Sequence, residues 1–351
     1  MKLLTVTVPC YNSQDYMENC INSLLTGGDR VEIIIIDDGS RDNTGAIADA
    51  YADKYPGIVR VIHQENGGHG EGINQGLRHA TGTYFKVVDS DDTVSKDFPA
   101  FLDMLEDCEA RGGVDLAVTN YYYVHSDGIG DRSIDYSSAL PENRIFGWQD
   151  TKKLRMHQML TIHSCTFRTE VMRRCPNPLP KHVFYEDNLM VCQVLPHVEK
   201  LVYMHADLYR YWIGRPDQSV QQGVSIKRYR HQLLVTEKCF TAFHLDDIRD
   251  KMLKWHLKHE LFMMFGICIG FTRMNRSAEA DADLETMWKN CIAFDPKWGK
   301  HFRYHTPLYF QEFVSCIVNH RGSSARLTPR QSIAMARVME QFAKRENFFE
   351  I

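Results

Sequence analysis

The stretch Tyr84–Asp92, Tyr-Phe-Lys-Val-Val-Asp-Ser-Asp-Asp, constrains the fold of this chain more than any other, because it joins a short apolar run to a group of carboxylates. The β-branched residues Val87 and Val88 fit a pleated surface that is covered on both faces, so they predict the end of a buried strand. Side chains two positions apart on extended backbone point the same way, which would let Asp89 and Asp91 share one ion.

Two explanations of these acids remain open. Neighbouring carboxylates repel each other unless a proton or a cation neutralises them, and oxygen-rich pairs suit Mg²⁺ or Mn²⁺. One hypothesis is therefore a divalent metal site at Asp89 and Asp91. The other is a helix N-terminus, in which Asp92 and Thr93 open a helix that begins near Lys96 and the acids lie at its positive end. The flanking sequence favours the metal site.

The first 95 residues alternate strands with helices. The predicted strands are 3–8, 31–36, 59–63 and 84–88, and the predicted helices are 14–25, 44–54 and 73–80. Strands that are apolar throughout and separated by helices indicate a parallel sheet covered on both faces. Ligands of such sheets collect beyond the carboxyl ends of the strands, and both acidic clusters, Asp37–Asp38 and Asp89–Asp92, fall there.

The remainder of the chain first continues the sheet and then becomes helical. We predict strands at 114–123 and 163–168, a long loop at 126–143, and helices at 148–159 and from 169. Apolar residues recurring at three and four positions predict further helices at 225–243, 246–271, 280–294 and 328–344. The sequence therefore predicts an α/β region followed by a helical C-terminal region.

Composition excludes several classes of protein. The 351 residues have a formal net charge of -4, which gives no global basic field for nucleic acid. Ten scattered cysteines without a CxxC pair indicate reduced thiols and no structural zinc. The N-terminus lacks the pattern of a signal peptide, and the longest apolar stretch, 261–271, is far short of the roughly 20 residues of a membrane span. We expect a cytoplasmic protein, at most peripheral at the inner membrane face.

The glycine-rich segment Gly67–Gly72 differs from a dinucleotide-binding fingerprint. Its spacing Gly70-x-Gly72-x-x-x-Gly76 departs from GxGxxG by one residue, and the segment follows the third strand instead of the first. These differences disfavour a Rossmann oxidoreductase. We expect a glycine loop whose backbone closely approaches a nucleotide.

Four motifs, in one order, resemble the family 2 glycosyltransferases: Thr5–Asn12, Ile36–Ser40 with Asp42 and Thr44, Asn66–Gly68 with Asn74, and Asp89–Asp92. The resemblance implies an α/β GT-A fold, a Rossmann-like, mostly parallel sheet flanked by helices. It also implies inverting transfer of a sugar from a nucleotide-diphosphosugar, with Mg²⁺ or Mn²⁺ at the Asp-x-Asp motif. One departure is Ile73, where the family tends to place an arginine; His69 or Lys86 is the expected substitute.

The resemblance also implies residue roles. Asp37 and Asp38 mark the contact to uracil, and ionised carboxylates at a strand end can accept hydrogen bonds from a base or a ribose. A plain Asp-Gly turn is the alternative there. Arg215 could clamp the diphosphate with its planar donors, or lie solvated at the surface. The complete predicted donor-binding set is Pro9, Tyr11, Asn12, Asp37, Asp38, Gly68, Asn74, Asp89 and Arg215, with Asp89 and Asp91 as metal ligands.

Glu186 and Asp187 form a second acidic focus. An inverting transferase needs a carboxylate that takes the proton of the acceptor hydroxyl, and the resemblance implies that Asp187 is this base, with Glu186 beside it. The alternative is a helix N-terminus with acidic residues in its first turn. His163 is either a core or turn histidine or a ligand.

We therefore predict an inverting glycosyltransferase with a GT-A catalytic domain at 1–222 and a helical region at 223–351. Its expected partners are a UDP-sugar donor and a glycan or lipid-linked glycan acceptor, in cell-surface or extracellular polysaccharide synthesis. A non-catalytic sugar-nucleotide-binding protein of the same fold and a sugar nucleotidyltransferase are the alternatives. The apolar segment 261–265 is predicted to be core, whereas the basic group at 227–231 leaves membrane contact open.

Overall fold

This computed structural model describes residues 2–125, 128, 131–156, 158–175, 177–213, 222–275 and 277–306. The described residues form two compact units. The first comprises the described residues within 1–154, 160–213 and 250–253, and the second comprises those within 155–159, 214–249 and 254–351. The domain boundary predicted after residue 222 stays a prediction. Arg215 and the predicted helix 328–344 lie outside the described residues.

The first part of the sheet is parallel, as predicted. It contains β1 (Leu4–Cys10), β2 (Val31–Asp37), β3 (Val59–His63) and β4 (Tyr84–Val87), in the order β3-β2-β1-β4. Every residue of β1 and β2 is buried, which explains their continuous apolar character. Cys10 pairs with Asp37, and Asp37 pairs with His63. The carboxyl ends of these three strands are therefore level.

The helices between these strands are α1 (Met17–Leu25), α2 (Thr44–Lys54) and α3 (His69–His79), and α4 (Phe98–Ala110) follows β4. Because α3 already begins at His69, the glycine loop is shorter than predicted. Gly72 and Gly76 lie on the face of α3 that packs on β1: a Cβ on Gly72 would lie 3.0 Å from Pro9 Cβ, and one on Gly76 would clash with Thr7. These two glycines permit close packing of helix on sheet, and the predicted approach of the loop Gly67–Gly72 to a nucleotide stays a prediction.

The second part of the sheet is mixed. Its strands are β5 (Thr93–Val94), β6 (Leu116–His125), β7 (Arg132–Ile134), β8 (Ile145–Phe146), β9 (Cys165–Arg168) and β10 (Leu201–Ile213). The order continues β4-β9-β6-β10-β5. β9 runs antiparallel to both β4 and β6, whereas β6 and β10 are parallel. The α/β fold class is confirmed, but five of the nine pairings among the described strands are antiparallel, so the sheet is mixed.

The predicted helix at 148–159 is wrong. Only a 3₁₀ turn, Trp148–Asp150, forms there, and the described residues that follow it are irregular. The indole N–H of Trp148 donates to the Val198 carbonyl at 2.7 Å, and the Lys152 N–H donates to the Ala139 carbonyl at 2.8 Å. The Lys152 bond takes the place of the local bond that this N–H would make in a helix, and the Trp148 bond ties the turn to a distant segment. β7 likewise lies inside the predicted loop 126–143.

Two short helices complete the first unit: α5 (Thr169–Arg173) follows β9, and α6 (Glu186–Val194) precedes β10. The second unit contains α7 (Gln222–Lys227), α8 (Tyr229–Thr241), most of α9 (Lys251–Asn275) and α10 (Ala278–Phe294). An aromatic cluster forms part of its core, with ring centroids of Phe265 4.7 Å from Trp288 and 5.2 Å from Phe302. All five residues of 261–265 are buried, so the prediction that this segment is core is confirmed.

The basic group at 227–231 is partly neutralised within the second unit. The Arg230 guanidinium pairs with Glu279 and, at 2.9 Å, with Asp283, both on α10. Among the described helices, none combines the length and the apolar character needed to cross a bilayer.

Candidate active site

The loops after β1, β2 and β4 are joined directly by hydrogen bonds. The Asp38 N–H donates to the Cys10 carbonyl at 2.9 Å. The Ser13 hydroxyl lies 2.9 Å from the Ser90 hydroxyl, and the Ser13 N–H donates to Thr44 Oγ1 at 2.7 Å. The acidic cluster after β2 and the one after β4 therefore lie at the same edge of the sheet.

Asp38 organises the glycine loop. Its Oδ1 accepts from the Gly67 N–H at 2.7 Å and from Gln64 Nε2 at 2.6 Å, and its Oδ2 accepts from the Gly68 N–H at 2.8 Å. Gly68 has a φ of 83°, a region that favours glycine, and a Cβ there would lie 2.9 Å from the His182 nitrogen. Asp38 therefore fixes the loop that leads into α3, and its predicted contact with uracil stays a prediction.

Replacing Asp38 with asparagine should lower the free energy of unfolding by about 2–3 kcal/mol, because an amide group cannot accept from all three donors and leaves at least one buried N–H without its partner. Urea denaturation measures this difference. Asp53→Asn, on the exposed face of α2, is the matched control and should leave the stability unchanged. Equal unfolding of the two variants would contradict the role given to Asp38.

The other predicted donor-binding residues of the first two loops lie beside one another. Asp37 Oδ2 lies 2.8 Å from His63 Nδ1. Burial opposes ionisation of Asp37, but hydrogen bonds from Ser40 and His63 lower the pKa of this carboxyl below its usual value. Asn12 has a φ of 51° and accepts from the Arg41 N–H at 2.9 Å, which joins the first loop to the second. Tyr11 is 47 % exposed at this surface.

His69, at the first position of α3, bridges two acids from distant parts of the chain. Its Nε2 lies 2.8 Å from Asp89 Oδ1, and its Nδ1 lies 2.7 Å from Glu186 Oε1. Burial by itself would lower the pKa of His69, but the carboxylates of Asp89 and Glu186 raise it well above its usual value. Burial likewise opposes ionisation of Asp89, but the charge of His69 lowers its pKa. We infer an imidazolium held between two carboxylates.

Only a weak indication of this bridge is present in the sequence. His69 is one of the two residues expected to substitute for the arginine that Ile73 replaces. Lys86, the other, is directed elsewhere: its Nζ donates to the carbonyls of Ile162, His163 and Cys165 at 3.0–3.3 Å. Burial lowers the pKa of Lys86 to about 8. The signal for His69 is its position as the first helical residue after a glycine pair.

Asp187 is the second residue of α6, directly after Glu186. Gly70 permits this close approach of α3 and α6, because a Cβ there would lie 2.8 Å from Glu186 Cγ. Tyr185, which precedes the pair, has a left-handed φ of 70°. Burial, and after it the negative charge of Glu186, raise the pKa of Asp187 to about 7. His69 therefore joins Glu186, and with it the neighbouring Asp187, to Asp89 in the acidic cluster after β4.

Asp92 is fully buried beneath the Asp-x-Asp motif. Its Oδ2 accepts from the Tyr209 hydroxyl at 2.6 Å, and its Oδ1 accepts from the Trp212 N–H at 2.7 Å. Burial raises the pKa of Asp92 well above its usual value, and the charges of Asp91 and Asp89 raise it further. This cluster of like charges is one that a divalent cation would neutralise.

His163 completes a possible metal-ligand set. One ligand atom each from Asp89, Asp92 and His163 lies within 4.8 Å of the others, the one such group found within the described residues. Burial lowers the pKa of His163 to about 4, so its imidazole is neutral and able to bind a metal. Two carboxylates with an imidazole fit Mn²⁺, and the carboxylates alone fit Mg²⁺. Asp91 lies outside this group, so the predicted pair Asp89 and Asp91 stays a prediction.

Asn74 is hydrogen-bonded to the backbone of Leu179. Its Oδ1 accepts from the Leu179 N–H, and its Nδ2 donates to the Leu179 carbonyl, both at 2.9 Å. It thus holds the segment before Glu186 against α3. Its predicted contact with the nucleotide stays a prediction.

A parallel β3-β2-β1-β4 core extended by a mixed sheet, with acids grouped at one edge, is the architecture of a GT-A glycosyltransferase. Residues 5–174 match the family model "Glycosyl transferase family 2". The chain therefore carries a domain of the family 2 glycosyltransferases.

Among curated relatives, the glycosyltransferase GlyG of Streptococcus pneumoniae is 39 % identical over 130 residues, which cover 36 % of this chain and 42 % of the relative. The uncharacterized glycosyltransferase EpsJ of Bacillus subtilis is 36 % identical over 173 residues, which cover 49 % of this chain and 46 % of the relative. The matched segments thus span less than half the length of these two relatives.

Solved structures agree with the fold. The crystal structure of S. aureus TarS 1-349 in complex with UDP-GlcNAc matches with a TM-score of 0.65 at 17 % sequence identity, over 99 % of this chain and 93 % of that one. The crystal structure of S. aureus TarS matches with a TM-score of 0.62 at 18 % sequence identity, over 91 % of this chain and 54 % of that one. At this identity the likeness shows the fold alone.

Proposed function

We propose that this protein is an inverting glycosyltransferase that moves a sugar from a UDP-sugar to a hydroxyl group of a glycan or lipid-linked acceptor, in the synthesis of a cell-surface or extracellular polysaccharide. The observation that carries the proposal is the bridge from Asp89 through His69 to Glu186, beside Asp187. This bridge places Asp89, which is expected to bind the donor, close to the candidate base Asp187. The family domain and the UDP-GlcNAc complex of TarS support UDP-GlcNAc as the first donor to test.

In the proposed mechanism the nucleotide lies over the loops after β1 and β2, near Tyr11 and the Asp37–Asp38 pair. The acids Asp89, Asp91 and Asp92, with His163, are the residues that would hold Mg²⁺ or Mn²⁺. Such an ion, when bound, supplies positive charge that stabilises the departing diphosphate. The fixed loops hold the donor so that the acceptor oxygen can approach the anomeric carbon in line.

Asp187 takes the proton in this mechanism. The acceptor oxygen forms a bond to the anomeric carbon while the bond from that carbon to the diphosphate oxygen breaks, and the hydroxyl proton passes to the Asp187 carboxylate. A base whose pKa lies near the operating pH is both ionised and basic enough for this transfer, and Asp187, with a pKa of about 7, meets that condition. The neighbouring charge of Glu186 contributes to its basicity.

The pH dependence follows from this assignment. Only ionised Asp187 can accept a proton, and its pKa is raised to about 7. We therefore expect kcat/KM to fall about tenfold per pH unit below pH 7 and to level off above it. Initial rates of UDP release from pH 5.5 to 8.5 measure the profile. A rate that stays constant down to pH 5.5 would contradict Asp187 as the base.

His69→Gln should move this profile to higher pH, because the positive charge of His69 lowers the pKa of Asp187. We expect the apparent pKa of the acidic limb to rise by about 1 unit, the shift expected on losing a nearby opposite charge. His79→Gln, at the exposed end of α3, is the matched control. An unchanged pH profile in His69→Gln would show that the charge of His69 does not influence the pKa of Asp187.

A screen of nucleotide sugars tests the function itself. Each donor is assayed for Mn²⁺-dependent thermal stabilisation, for hydrolysis and for transfer to oligosaccharide acceptors. We expect a UDP-sugar to stabilise the protein against heat and to be hydrolysed or transferred. Binding without turnover would support the non-catalytic alternative, and formation of a nucleotide sugar from a nucleoside triphosphate and a sugar phosphate would support the nucleotidyltransferase.

A further inference from the structure

The sheet continues past β4, on the side away from the loops after β1 and β2. Its order there is β9-β6-β10. β9 is antiparallel to both β4 and β6, and β6 is parallel to β10, so β4, β6 and β10 all run in one direction. The carboxyl ends of β6 and β10 therefore lie at the same edge of the sheet as the acids after β4. In the proposed mechanism the nucleotide lies over the loops after β1 and β2, and it leaves this part of the edge open.

Four tyrosines, which we call the tyrosine wall, share one face of β6 and β10: Tyr121, Tyr123, Tyr209 and Tyr211. Tyr209 pairs with Tyr121 and Tyr211 pairs with Tyr123, and side chains two positions apart on a strand point the same way. The ring centroid of Tyr123 lies 5.4 Å from that of Tyr121 and 5.5 Å from that of Tyr211. Tyr121 and Tyr209 are buried, whereas Tyr123 and Tyr211 are partly exposed. The wall therefore reaches the surface through its outer two rings.

His163 joins the tyrosine wall to the acids. Its ring centroid lies 4.6 Å from that of Tyr211 and 4.8 Å from that of Tyr209. The same imidazole has a ligand atom within 4.8 Å of those of Asp89 and Asp92. The wall thus begins beside the candidate metal ligands and extends over β6 and β10, away from the loops after β1 and β2.

The Tyr211 hydroxyl is the open polar group of the wall. The Tyr209 hydroxyl donates to Asp92, and the hydroxyls of Tyr121 and Tyr123 lie 3.4 Å apart. The Tyr211 hydroxyl makes no hydrogen bond to any residue that the structure describes, and its oxygen keeps accessible surface. A tyrosine hydroxyl can both donate and accept a hydrogen bond. Tyr211 can therefore give a hydrogen bond to a bound molecule without losing one within the protein.

These features match the chemistry of a sugar ring. A pyranose carries C–H groups that pack on aromatic side chains and hydroxyl groups that accept and donate hydrogen bonds. The outer rings of the wall supply the first kind of contact. The Tyr211 hydroxyl, which is protonated at neutral pH, supplies the second.

We propose that the tyrosine wall is part of the acceptor site, that the acceptor presents a pyranose ring to it, and that Tyr211 binds this ring. The Tyr211 hydroxyl donates to a hydroxyl oxygen of the sugar, and C–H groups of the ring pack against Tyr123 and Tyr211. The attacking hydroxyl is then directed along the wall toward the donor. This inference rests on the proposed function, because it names the acceptor side of the same site.

Steady-state kinetics separate acceptor binding from donor binding. The donor is the one that the nucleotide-sugar screen identifies, and the acceptors are the methyl β-glycosides of glucose, galactose and N-acetylglucosamine. Tyr211→Phe, which keeps the ring, and Tyr123→Leu should each raise the KM of the accepted glycoside between about threefold and tenfold, and should change the donor KM less than twofold. Tyr122→Phe is the matched control, because Tyr122 points to the opposite face of β6, where the Arg210 guanidinium lies 5.4 Å from its ring centroid. It should leave both constants unchanged.

NMR tests the same contacts without turnover. Protein labelled with ¹³C-tyrosine, in the presence of UDP and Mg²⁺, is titrated with the three methyl glycosides and with glucitol, an open-chain polyol that has no ring. Signals are assigned by single Tyr→Phe replacements. We expect saturable shifts of Tyr123 and Tyr211 with at least one glycoside, no shift of Tyr122, and at least tenfold weaker binding of glucitol.

The two arms distinguish failure of this inference from failure of the proposed function. A protein that neither hydrolyses nor transfers any donor would count against the proposed function, while glycoside-dependent shifts of Tyr123 and Tyr211 would still support the sugar site. The inference is overturned if no glycoside shifts either tyrosine, or if glucitol binds as tightly as the glycosides. It is also overturned if Tyr211→Phe, which should fold normally, leaves the acceptor KM and the Kd of the glycoside unchanged.

Discussion

Replacing Asp187 with asparagine should lower kcat for sugar transfer about a thousandfold while leaving the affinity for the donor unchanged, because a positioned general base contributes between about a hundredfold and ten-thousandfold. Asparagine keeps the shape of the side chain but cannot accept the proton of the acceptor hydroxyl. The acidic limb of the pH profile, set by a pKa of about 7, should disappear with it. Single-turnover transfer and donor titration measure the two quantities.

Glu186→Gln is the informative comparison. This variant keeps Asp187 but lacks the negative charge that raises the pKa of Asp187. It also makes a weaker contact with His69. We expect a smaller loss of kcat and an acidic limb shifted to lower pH. If Asp187→Asn retained more than a tenth of the unmodified kcat, the proton acceptor would have to be another residue.

The second large effect concerns the acids after β4. Asp89 belongs both to the predicted metal pair with Asp91 and to the group that the structure forms with Asp92 and His163. Asp89→Asn should therefore reduce transfer to background at any Mn²⁺ concentration, since it removes a ligand common to both sets and the partner of His69. Transfer assayed over a Mn²⁺ titration measures this loss. Undiminished Mn²⁺-dependent activity would contradict the metal role of Asp89.

The same titration separates the two ligand sets. If Asp91 binds the ion, Asp91→Asn should raise the half-saturating Mn²⁺ concentration by tenfold or more. If the group with His163 binds it, His163→Gln should do so instead. Asp103→Asn, an exposed acid on α4, is the control and should leave the titration unchanged.

The local part of the fold was accessible from the sequence. β3 and α2 have the predicted bounds, and β1 and β2 extend the predicted strands by one or two residues at their carboxyl ends. Strand and helix periodicity is a local property, and parallel strands separated by helices leave few possible arrangements. Because the strands are parallel, Asp38 and the acids after β4 lie at the same edge of the sheet.

The contacts between distant segments were not accessible. No local pattern shows that β9 lies between β4 and β6, and it is this insertion that brings His163 near Asp89 and Asp92. The bridge made by His69 spans 117 positions to Glu186. The same limit explains the wrong helix at 148–159, where bonds from Trp148 and Lys152 to remote carbonyls override the helical spacing.

A crystal structure of the protein soaked with Mn²⁺ and a non-hydrolysable UDP-sugar, with anomalous data collected for manganese, would place the donor, the ion and Asp187 in one experiment. The proposed mechanism requires one bound donor, with uracil at the Asp37–Asp38 loop, manganese on Asp89, and the anomeric carbon facing Asp187. A donor bound elsewhere, or one whose anomeric carbon lies away from Asp187 with no manganese at Asp89, would contradict it.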